Sequence, residues 1–252
     1  MTRRDDYYNR AKQEGYRSRS AYKLKQLNDD AGLVDPGDRV LDLGAAPGGW
    51  LQVASELAGG SGTVVGVDRQ RIDPLEGVET VRGDMTDADT RERVREVIGE
   101  ADVVLSDMAP NMSGEYELDH ARSVYLARMA FETALEVLAP GGDLVVKVFD
   151  GPDLADLREE MEEEFQYVRS TRPAATRKAS SEQYLVARGR ITAPVRPGDR
   201  LAVTVEGTGS EGDGVASVGG FRLFVPDTEE GDTVEVRVTD VKPRFGFAER
   251  VD

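Results

Sequence analysis

The chain has 252 residues, enough for one large domain or for one domain with a small partner. It has no cysteine and a single histidine, His120, which excludes disulfides, thiolate metal sites and multi-histidine metal centres. No apolar run approaches the ~20 residues of a transmembrane helix, and residues 1–8 lack the apolar core of a signal peptide. We therefore expect a cytoplasmic protein that binds neither a membrane nor a metal ion.

The net charge of −16 is unevenly distributed. Only six of the 32 cations are lysines, and this acidic, arginine-rich balance is typical of a protein kept soluble in a very salty cytoplasm. Residues 1–25 nevertheless hold eight cations and three anions, and residues 169–190 hold six cations and one anion. These two basic stretches are candidates for an anion site.

Helices and strands alternate along the chain up to about residue 188. Apolar periodicity and capping residues predict helices at 19–31, 48–57, 90–98, 119–138 and 153–165. Short apolar runs predict strands at 39–43, 62–68, 78–83, 102–106, 143–149 and 184–187. Strands separated by helices indicate βαβ units, so we expect an α/β fold with a doubly wound, mostly parallel sheet.

Beyond residue 189 the pattern becomes that of an all-β protein. Alternating runs at 200–205, 214–218, 221–225 and 233–238 are separated by glycine-rich turns, which predicts a small β-barrel. We therefore expect two domains, residues 1–188 and residues 189–252.

The segment at residues 41–50, Leu-Asp-Leu-Gly-Ala-Ala-Pro-Gly-Gly-Trp, joins a strand to a helix. Its glycines let a ligand approach the backbone at a helix N-terminus, but their spacing differs from the dinucleotide fingerprint. The next strand ends in Asp68, which is placed for ribose hydroxyls, and Asp84 follows the third strand, where it can accept from an adenine amino group. The three features together predict an adenosine-containing ligand without a pyrophosphate; a tight turn with capping acids is the alternative.

A second set of polar residues follows the later strands. Residues 106–114, Ser-Asp-Met-Ala-Pro-Asn-Met-Ser-Gly, come after one strand, and Lys147 lies inside another. A lysine in an apolar strand is costly unless it is paired, and here the topology puts it near the ligand crevice. Close to other cations, such a lysine can act as a general base. The alternative is an aliphatic stem with its amine at the sheet edge.

With these motifs in order, the chain resembles the FtsJ/RlmE family of S-adenosylmethionine-dependent RNA 2′-O-ribose methyltransferases. The resemblance covers residues 1 to about 188. It is carried by residues 17–24 (Arg-Ser-Arg-Ser-Ala-Tyr-Lys-Leu), 42–50, 106–114, 145–149 (Val-Val-Lys-Val-Phe) and 180–184 (Ser-Ser-Glu-Gln-Tyr). It implies a Rossmann-like methyltransferase sheet. Residues 189–252 resemble a TRAM domain, a small barrel found on RNA-modifying enzymes, which is a departure from bacterial members that stop near residue 190.

The resemblance also implies the site. Catalysis would fall to a tetrad of Lys23, Asp107, Lys147 and Glu182, with Lys147 as the proton acceptor. Contacts to the cofactor S-adenosylmethionine would come from Gly48, Trp50, Asp68, Asp84 and Asp107, and no metal is implied. The substrate would be a uridine ribose in large-subunit (23S) rRNA, either free or within the assembled ribosomal subunit.

Other functions remain open at this point. The same chemistry on tRNA is the nearest alternative, and a non-catalytic ribosome-assembly factor is another, although such a factor does not need Lys147. A nicotinamide dehydrogenase is disfavoured because the dinucleotide fingerprint is missing. In the barrel we expect Phe245 or Phe247 to be exposed and available to stack on unpaired bases.

Overall fold

The structure is a computed structural model that describes residues 6–177 and 179–251. Arg3, Arg4 and Lys178 of the two basic stretches lie outside the described residues. The helices are α1 (Asp6–Glu14), α2 (Ala21–Ala31), α3 (Gly49–Ala58), α4 (Ala88–Ile98), α5 (Tyr116–Val137) and α6 (Leu154–Glu162), with a 3-10 turn at Gly59–Ser61.

A seven-stranded sheet carries these helices in the order β3-β2-β1-β4-β5-β7-β6. Its strands are β1 (Arg39–Leu43), β2 (Thr63–Asp68), β3 (Val78–Arg82), β4 (Ala101–Ser106), β5 (Leu138–Phe149), β6 (Phe165–Thr171) and β7 (Glu182–Arg190). The first five run parallel, whereas β7 is antiparallel to both β5 and β6. The predicted α/β fold with a mostly parallel sheet is confirmed.

Apolar side chains alternate between the two faces of this sheet and are covered on both sides. Leu41 and Leu43 of β1 pack with α4, α5 and α6, whereas Val40 packs with α2 and α3. The residue between the two leucines, Asp42, therefore points towards the α2 and α3 face. This alternation decides which side chains meet at the end of the sheet.

Two predicted helices in this region are present but have different boundaries. The helix predicted at 153–165 ends at Glu162, and Phe165 begins strand β6. This strand was not predicted because the acidic residues before Phe165 are typical of an exposed helix. The helix predicted at 119–138 instead runs over Tyr116–Val137, and β5 begins immediately at Leu138. The strand predicted at 143–149 therefore begins five residues earlier, and residues 140–142 belong to its irregular start beside β4.

The C-terminal strands form a closed barrel in the order β10-β12-β11-β8-β9. They are β8 (Arg200–Thr208), β9 (Gly214–Val218), β10 (Phe221–Val225), β11 (Thr233–Val241) and β12 (Phe245–Arg250). The predicted barrel is confirmed, but the fifth strand, β12, was not predicted because Gly246 interrupts its apolar pattern. Phe245 and Phe247 are 37% and 38% exposed, as expected, whereas Phe221 is in the barrel core.

Across residues 6–177 and 179–251, no helix combines the length and the apolar character that crossing a bilayer requires.

Arg188 joins three elements of the large domain. Its Nε lies 2.6 Å from the carboxylate of Asp143 on β5, and its Nη1 donates to the carbonyl of Ala31 at the end of α2. The N–H of Gly189 also donates to Asp143, at 2.9 Å. Burial raises the pKa of Asp143, so that its ionised form depends on these partners.

Arg188→Ala is expected to lower the free energy of unfolding by about 2–3 kcal/mol, because it leaves a buried carboxylate with one donor. Urea unfolding measures the loss. Arg158→Ala is the matched control, since Arg158 makes an exposed i,i+4 pair with Glu162 at 2.8 Å that contributes about 0.3–0.5 kcal/mol. Equal losses in the two variants would contradict the role assigned to Arg188.

Candidate active site

Polar side chains converge at the carboxyl ends of β4 and β5. Lys147 of β5 is 7% exposed, and its Nζ donates to the carboxylate of Asp107 at 2.9 Å and to the Asp107 carbonyl at 2.5 Å. Asp107 directly follows β4. The lysine that the sequence places inside an apolar strand is thus paired, which offsets the cost of burying its charge.

A second ion pair lies beside the first. Lys23, on α2, has its Nζ 2.5 Å from the carboxylate of Glu182 at the start of β7, and both side chains are nearly buried. The Lys23 amine also lies 5.8 Å from the centre of the Tyr184 ring. The four residues that the resemblance assigns to catalysis are therefore brought together by four different elements.

The neighbouring lysines affect the ionisation of Asp107. Burial alone would raise the pKa of Asp107, but the charges of Lys147 and Lys23 outweigh burial and hold that pKa below its usual value. Asp107 is therefore a carboxylate at neutral pH. It can fix the amine of Lys147 and accept a further hydrogen bond.

Tyr184 belongs to this cluster although the sequence analysis gave it no role. It pairs with Lys147 in the β5–β7 register, and its hydroxyl donates to the Asp107 carboxylate at 2.7 Å. Burial, followed by the charges of Asp107 and Glu182, raises the pKa of Tyr184 well above its usual value, so the phenol stays protonated. The signal that could have found it is its place two residues after Glu182 on the same strand face.

The glycine-rich loop lies next to this cluster, between β1 and α3. Gly44 has a φ of 78°, and a Cβ there would lie 2.6 Å from the side chain of Met108, the residue after Asp107. Gly48 has a φ of 110°, and a Cβ there would lie 2.7 Å from the guanidinium of Arg17. These two glycines thus let the loop pack against the segment that carries Asp107 and against the N-terminal segment.

The two acids predicted to bind the ligand have partners in the protein. Asp68 accepts from the backbone N–H of Ala46 at 3.0 Å and of Gln70 at 2.7 Å, so it holds the glycine-rich loop in place. Asp84 accepts from the N–H and the hydroxyl of Thr86 at one oxygen, which lowers its pKa, and its other oxygen lies 3.3 Å from Nε of the exposed Arg69. Each carboxylate retains acceptor capacity for a ligand.

Trp50 and Gly48 differ in what they can offer a ligand. The Trp50 indole is 2% exposed, donates to the Ser20 carbonyl at 2.8 Å and packs on Tyr184. A ligand contact from Trp50 must therefore come from its backbone, in the first turn of α3. Gly48 precedes that turn, where backbone N–H groups are unpaired and attract negative charge.

Asp42 is a buried acid that the sequence analysis quoted without assigning it a role. It lies on β1 just before the glycine-rich loop, it is fully buried, and neither carboxyl oxygen has a hydrogen-bond partner. Burial, and then the charges of Asp107 and Asp68, raise the pKa of Asp42 well above its usual value. A buried carboxyl without partners is costly, so this position is unfavourable unless a donor or a positive charge comes near it.

A cavity of about 470 Å³ opens beside the Lys23–Glu182 pair and is lined by Arg19, Arg177 and Ser180 among others. Many other arginines of the basic stretches are engaged within the protein. Arg17 donates to the carbonyls of Asp73 and Pro74, both at 2.7 Å. The charge counts therefore overstate the positive surface that is open to an anion.

Among residues 6–177 and 179–251, no group of three or more His, Asp or Glu side chains is arranged to hold a metal ion.

Known proteins share both parts of this architecture. The FtsJ-like methyltransferase family matches residues 16–190, and the TRAM domain matches residues 194–251. A protein of Natronomonas pharaonis named "Ribosomal RNA large subunit methyltransferase E" is 70% identical over the full length of both chains. One with the same name from Halorubrum lacusprofundi is 64% identical over all of this chain and 95% of its own. Both are halophilic archaea, in line with the acidic, lysine-poor composition.

A solved structure shows the same fold in the large domain. A protein of Plasmodium falciparum, assigned as a ribosomal RNA methyltransferase, superposes with a TM-score of 0.63 at 27% identity, and the match covers 69% of this chain and 98% of that one. The expectation of a methyltransferase sheet followed by a TRAM barrel is confirmed. The chain belongs to the FtsJ-like methyltransferase family and carries a C-terminal TRAM domain.

Proposed function

We propose that the protein transfers a methyl group from S-adenosylmethionine to the ribose 2′-hydroxyl of a uridine in 23S rRNA, in the cytoplasm. The observation that carries this proposal is the pair of ion pairs, Lys147–Asp107 and Lys23–Glu182, beside a glycine-rich loop. The names of the relatives from Natronomonas pharaonis and Halorubrum lacusprofundi support rRNA as the substrate. Residues 1–188 would perform the chemistry, and residues 189–252 would bind RNA.

The residues at the glycine-rich loop fit a cationic, adenosine-containing cofactor. Asp42, with its two unpartnered oxygens, is near enough to Asp107 and Asp68 for their charges to raise its pKa, so acidic side chains are concentrated at this end of the sheet. When bound, S-adenosylmethionine supplies a methyl group already activated on a positively charged sulfur. The residues that would hold it are Gly48 and Trp50 through their backbone, and Asp68, Asp84 and Asp107 through their carboxylates.

Lys147 is suited to take the proton of the attacking hydroxyl. In the ion pair Nζ is an ammonium, so it would act as the base only after releasing one proton to solvent. The neutral amine then has two N–H groups and one lone pair, and the two oxygens of Asp107 that it contacts account for both N–H groups. The lone pair would accept the proton of the substrate hydroxyl. The Lys23 amine, held by Glu182, would orient the ribose oxygen towards the methyl group.

The RNA would approach from the side of the Arg19–Arg177 cavity. This cavity adjoins Lys23 and Glu182 and carries cations at its rim, which suits the phosphates that flank a target nucleotide. The exposed rings of Phe245 and Phe247 on the barrel would add contacts to unpaired bases that depend little on salt.

Mapping 2′-O-methyl groups in total RNA from cells with and without the gene tests the proposal. We expect one uridine of 23S rRNA to lose its methyl group in the deletion strain. Loss in tRNA alone would favour the alternative substrate, and no loss in any RNA would favour a non-catalytic assembly factor.

Lys147→Ala is expected to lower the rate of methyl transfer by ~10²–10⁴-fold or more, because it removes the general base and its alignment. Binding of S-adenosylmethionine should be nearly intact. Radiolabelled methyl transfer and calorimetry measure the two effects, with Lys25→Ala as control, since Lys25 is a cation on α2, the helix of Lys23, and pairs with Glu56. A wild-type rate across a range of pH would rule out Lys147 as the base.

Asp68→Ala and Asp84→Ala are expected to weaken cofactor binding instead. Each loses a hydrogen bond worth ~0.5–1.5 kcal/mol, and an unpaired buried partner adds ~1–3 kcal/mol. The larger loss is expected for Asp68, because its carboxylate also holds the N–H of Ala46. Calorimetry with S-adenosylmethionine measures both, and unchanged affinity in both variants would remove these acids from the cofactor site.

Asp42→Asn is expected to flatten the pH dependence of stability. The folded protein keeps the Asp42 proton above the pH at which the unfolded chain, with a pKa near 3.8, loses it. Raising the pH through this window therefore favours unfolding by up to about 1.4 kcal/mol per pH unit until the raised folded-state pKa is passed. Urea unfolding at successive pH values measures the slope, and an identical slope in the variant would contradict the assignment.

A further inference from the structure

Glu182, which holds the Lys23 amine, lies at the very end of a strand. It is the first residue of β7, and its partner Phe149 is the last residue of β5, so the β5–β7 ladder stops at this pair. Secondary structure opens most easily at its ends. A side chain that has to keep Lys23 in one place therefore needs support beyond the ladder.

Asp150, the residue after β5, contacts both neighbours of Glu182. Its N–H donates to the carbonyl of Ser181 at 2.9 Å, and its carboxylate accepts from the side-chain amide of Gln183 at 3.2 Å. The first contact extends the pairing of the two strands by one residue, and the second adds a side-chain hydrogen bond across them. Glu182 is thus held on both sides by a residue to which the proposed chemistry assigns no role.

Helix α5 fixes the segment that carries Asp150. Tyr116, His120 and Ser123 are spaced i, i+4, i+7, so they lie on one face of the helix. The Tyr116 hydroxyl donates to the Asp150 carbonyl at 2.6 Å. His120 Nδ1 donates to the Phe149 carbonyl, and the Phe149 N–H donates to Ser123 Oγ, both at 3.1 Å. Three backbone groups at the end of β5 are therefore bound by one helix face.

The close approach of this segment to α5 depends on Gly151. A Cβ at Gly151 would lie 2.4 Å from Nδ1 of His120, so a side chain there would force the imidazole ring to shift. His120 and Ser123 are buried, and their hydrogen bonds to Phe149 are shielded from water. The backbone of Asp150 is therefore set by α5, whereas its exposed carboxylate is available to Gln183.

The contact between Asp150 and Gln183 is suited to positioning more than to stability. It is exposed, so its removal leaves neither a cavity nor a buried unpaired group, and a hydrogen bond of this kind contributes little net free energy. Its geometric effect is larger, because the Glu182 carboxylate lies 2.5 Å from the Lys23 amine and a shift of one moves the other. A misplacement of about 1 Å in a reacting group can cost ~10²-fold in rate.

We propose that Asp150 is a positioning residue for methyl transfer: through Gln183 its carboxylate holds Glu182, so that the Lys23 amine is directed at the ribose oxygen. This inference rests on the proposed function. Asp150 acts through Glu182 and not by contact with the cofactor or the ribose. Its removal therefore slows the chemical step and leaves cofactor binding intact.

Single-turnover methylation by the full-length protein tests the proposal, with unmethylated 23S rRNA from the deletion strain, free and within large subunits. At saturating cofactor and RNA, Asp150→Ala and Gln183→Ala should each lower the rate about three- to tenfold. The double variant should lose no more than either single variant, because both remove the same hydrogen bond. The Kd for S-adenosylmethionine, measured by calorimetry, should be unchanged.

Three further variants separate positioning from a general structural effect. Asp150→Asn keeps the acceptor oxygen and should recover most of the rate, and Asp156→Ala, which removes an exposed aspartate from α6, should match the wild type. In a Glu182→Gln background, Asp150→Ala should change the rate by less than about twofold, since no ion pair is left to position. A wild-type rate in Asp150→Ala, or an equal loss in both backgrounds, would overturn the proposal.

A second measurement does not depend on methyl transfer. The Lys23 side chain is 11% exposed and that of Lys25, on the same helix, is 34% exposed. Brief treatment with acetic anhydride, followed by peptide mass spectrometry, measures the acetylation rate at each of the six lysines. Asp150→Ala should be acetylated faster at Lys23 and at the wild-type rate at Lys25.

The failure of the proposed function would look different from the failure of this inference. In that case the wild-type protein would methylate neither free 23S rRNA nor large subunits, and the acetylation rates alone decide the role of Asp150. Faster acetylation of Lys23 in Asp150→Ala, but not in Asp156→Ala, would support the positioning role. Equal rates at Lys23 in Asp150→Ala and the wild type would overturn it.

Discussion

The pairing of Lys147 with Asp107 is the interaction on which the arrangement of the site depends. An amine inside an apolar strand is unfavourable without a carboxylate, and the carboxylate is unfavourable without the amine, because each loses its hydration. The same carboxylate accepts from Tyr184 and is influenced by Lys23, which Glu182 holds in turn. Removing any one charge would leave its partner buried and uncompensated, so the cluster forms as a unit.

The reversed direction of β7 makes this cluster possible. A parallel strand would bring its carboxyl end to the site, whereas the antiparallel β7 brings its first residues, so Glu182 and Tyr184 reach Lys147 from the start of the strand. Helix α2 lies on the same face of the sheet and supplies Lys23. Asp42 lies on that face too, because β1 directs alternate residues to opposite sides.

Much of the fold could be predicted from the local pattern of apolar and polar residues, but many of the side-chain contacts could not. The strand at 39–43 has the predicted bounds because its apolar residues, Val40, Leu41 and Leu43, lie between a turn and a glycine-rich loop that limit it at both ends. Strand β6 was missed because Phe165 follows an acidic helix in a pattern that suits either structure. The four residues of the predicted tetrad lie close together in the structure. The hydrogen bond of Tyr184 to Asp107 and the lack of partners at Asp42 could not be predicted, because both depend on residues distant in sequence. The partners of the arginines, such as Ala31 for Arg188, are likewise set only by packing.

The contacts of Arg17 and Arg188 also bear on how such a protein can be adapted to dilute buffer. Both guanidiniums donate to backbone carbonyls of distant segments, and Arg17 reaches two consecutive carbonyls at once. The planar guanidinium has several fixed donors, whereas a lysine ammonium is a compact point charge. Exchanging exposed acids or arginines for lysine is a reasonable engineering route to a low-salt variant, but these two positions would have to be spared. Arginine is therefore retained here for the shape of its side chain as well as for its charge.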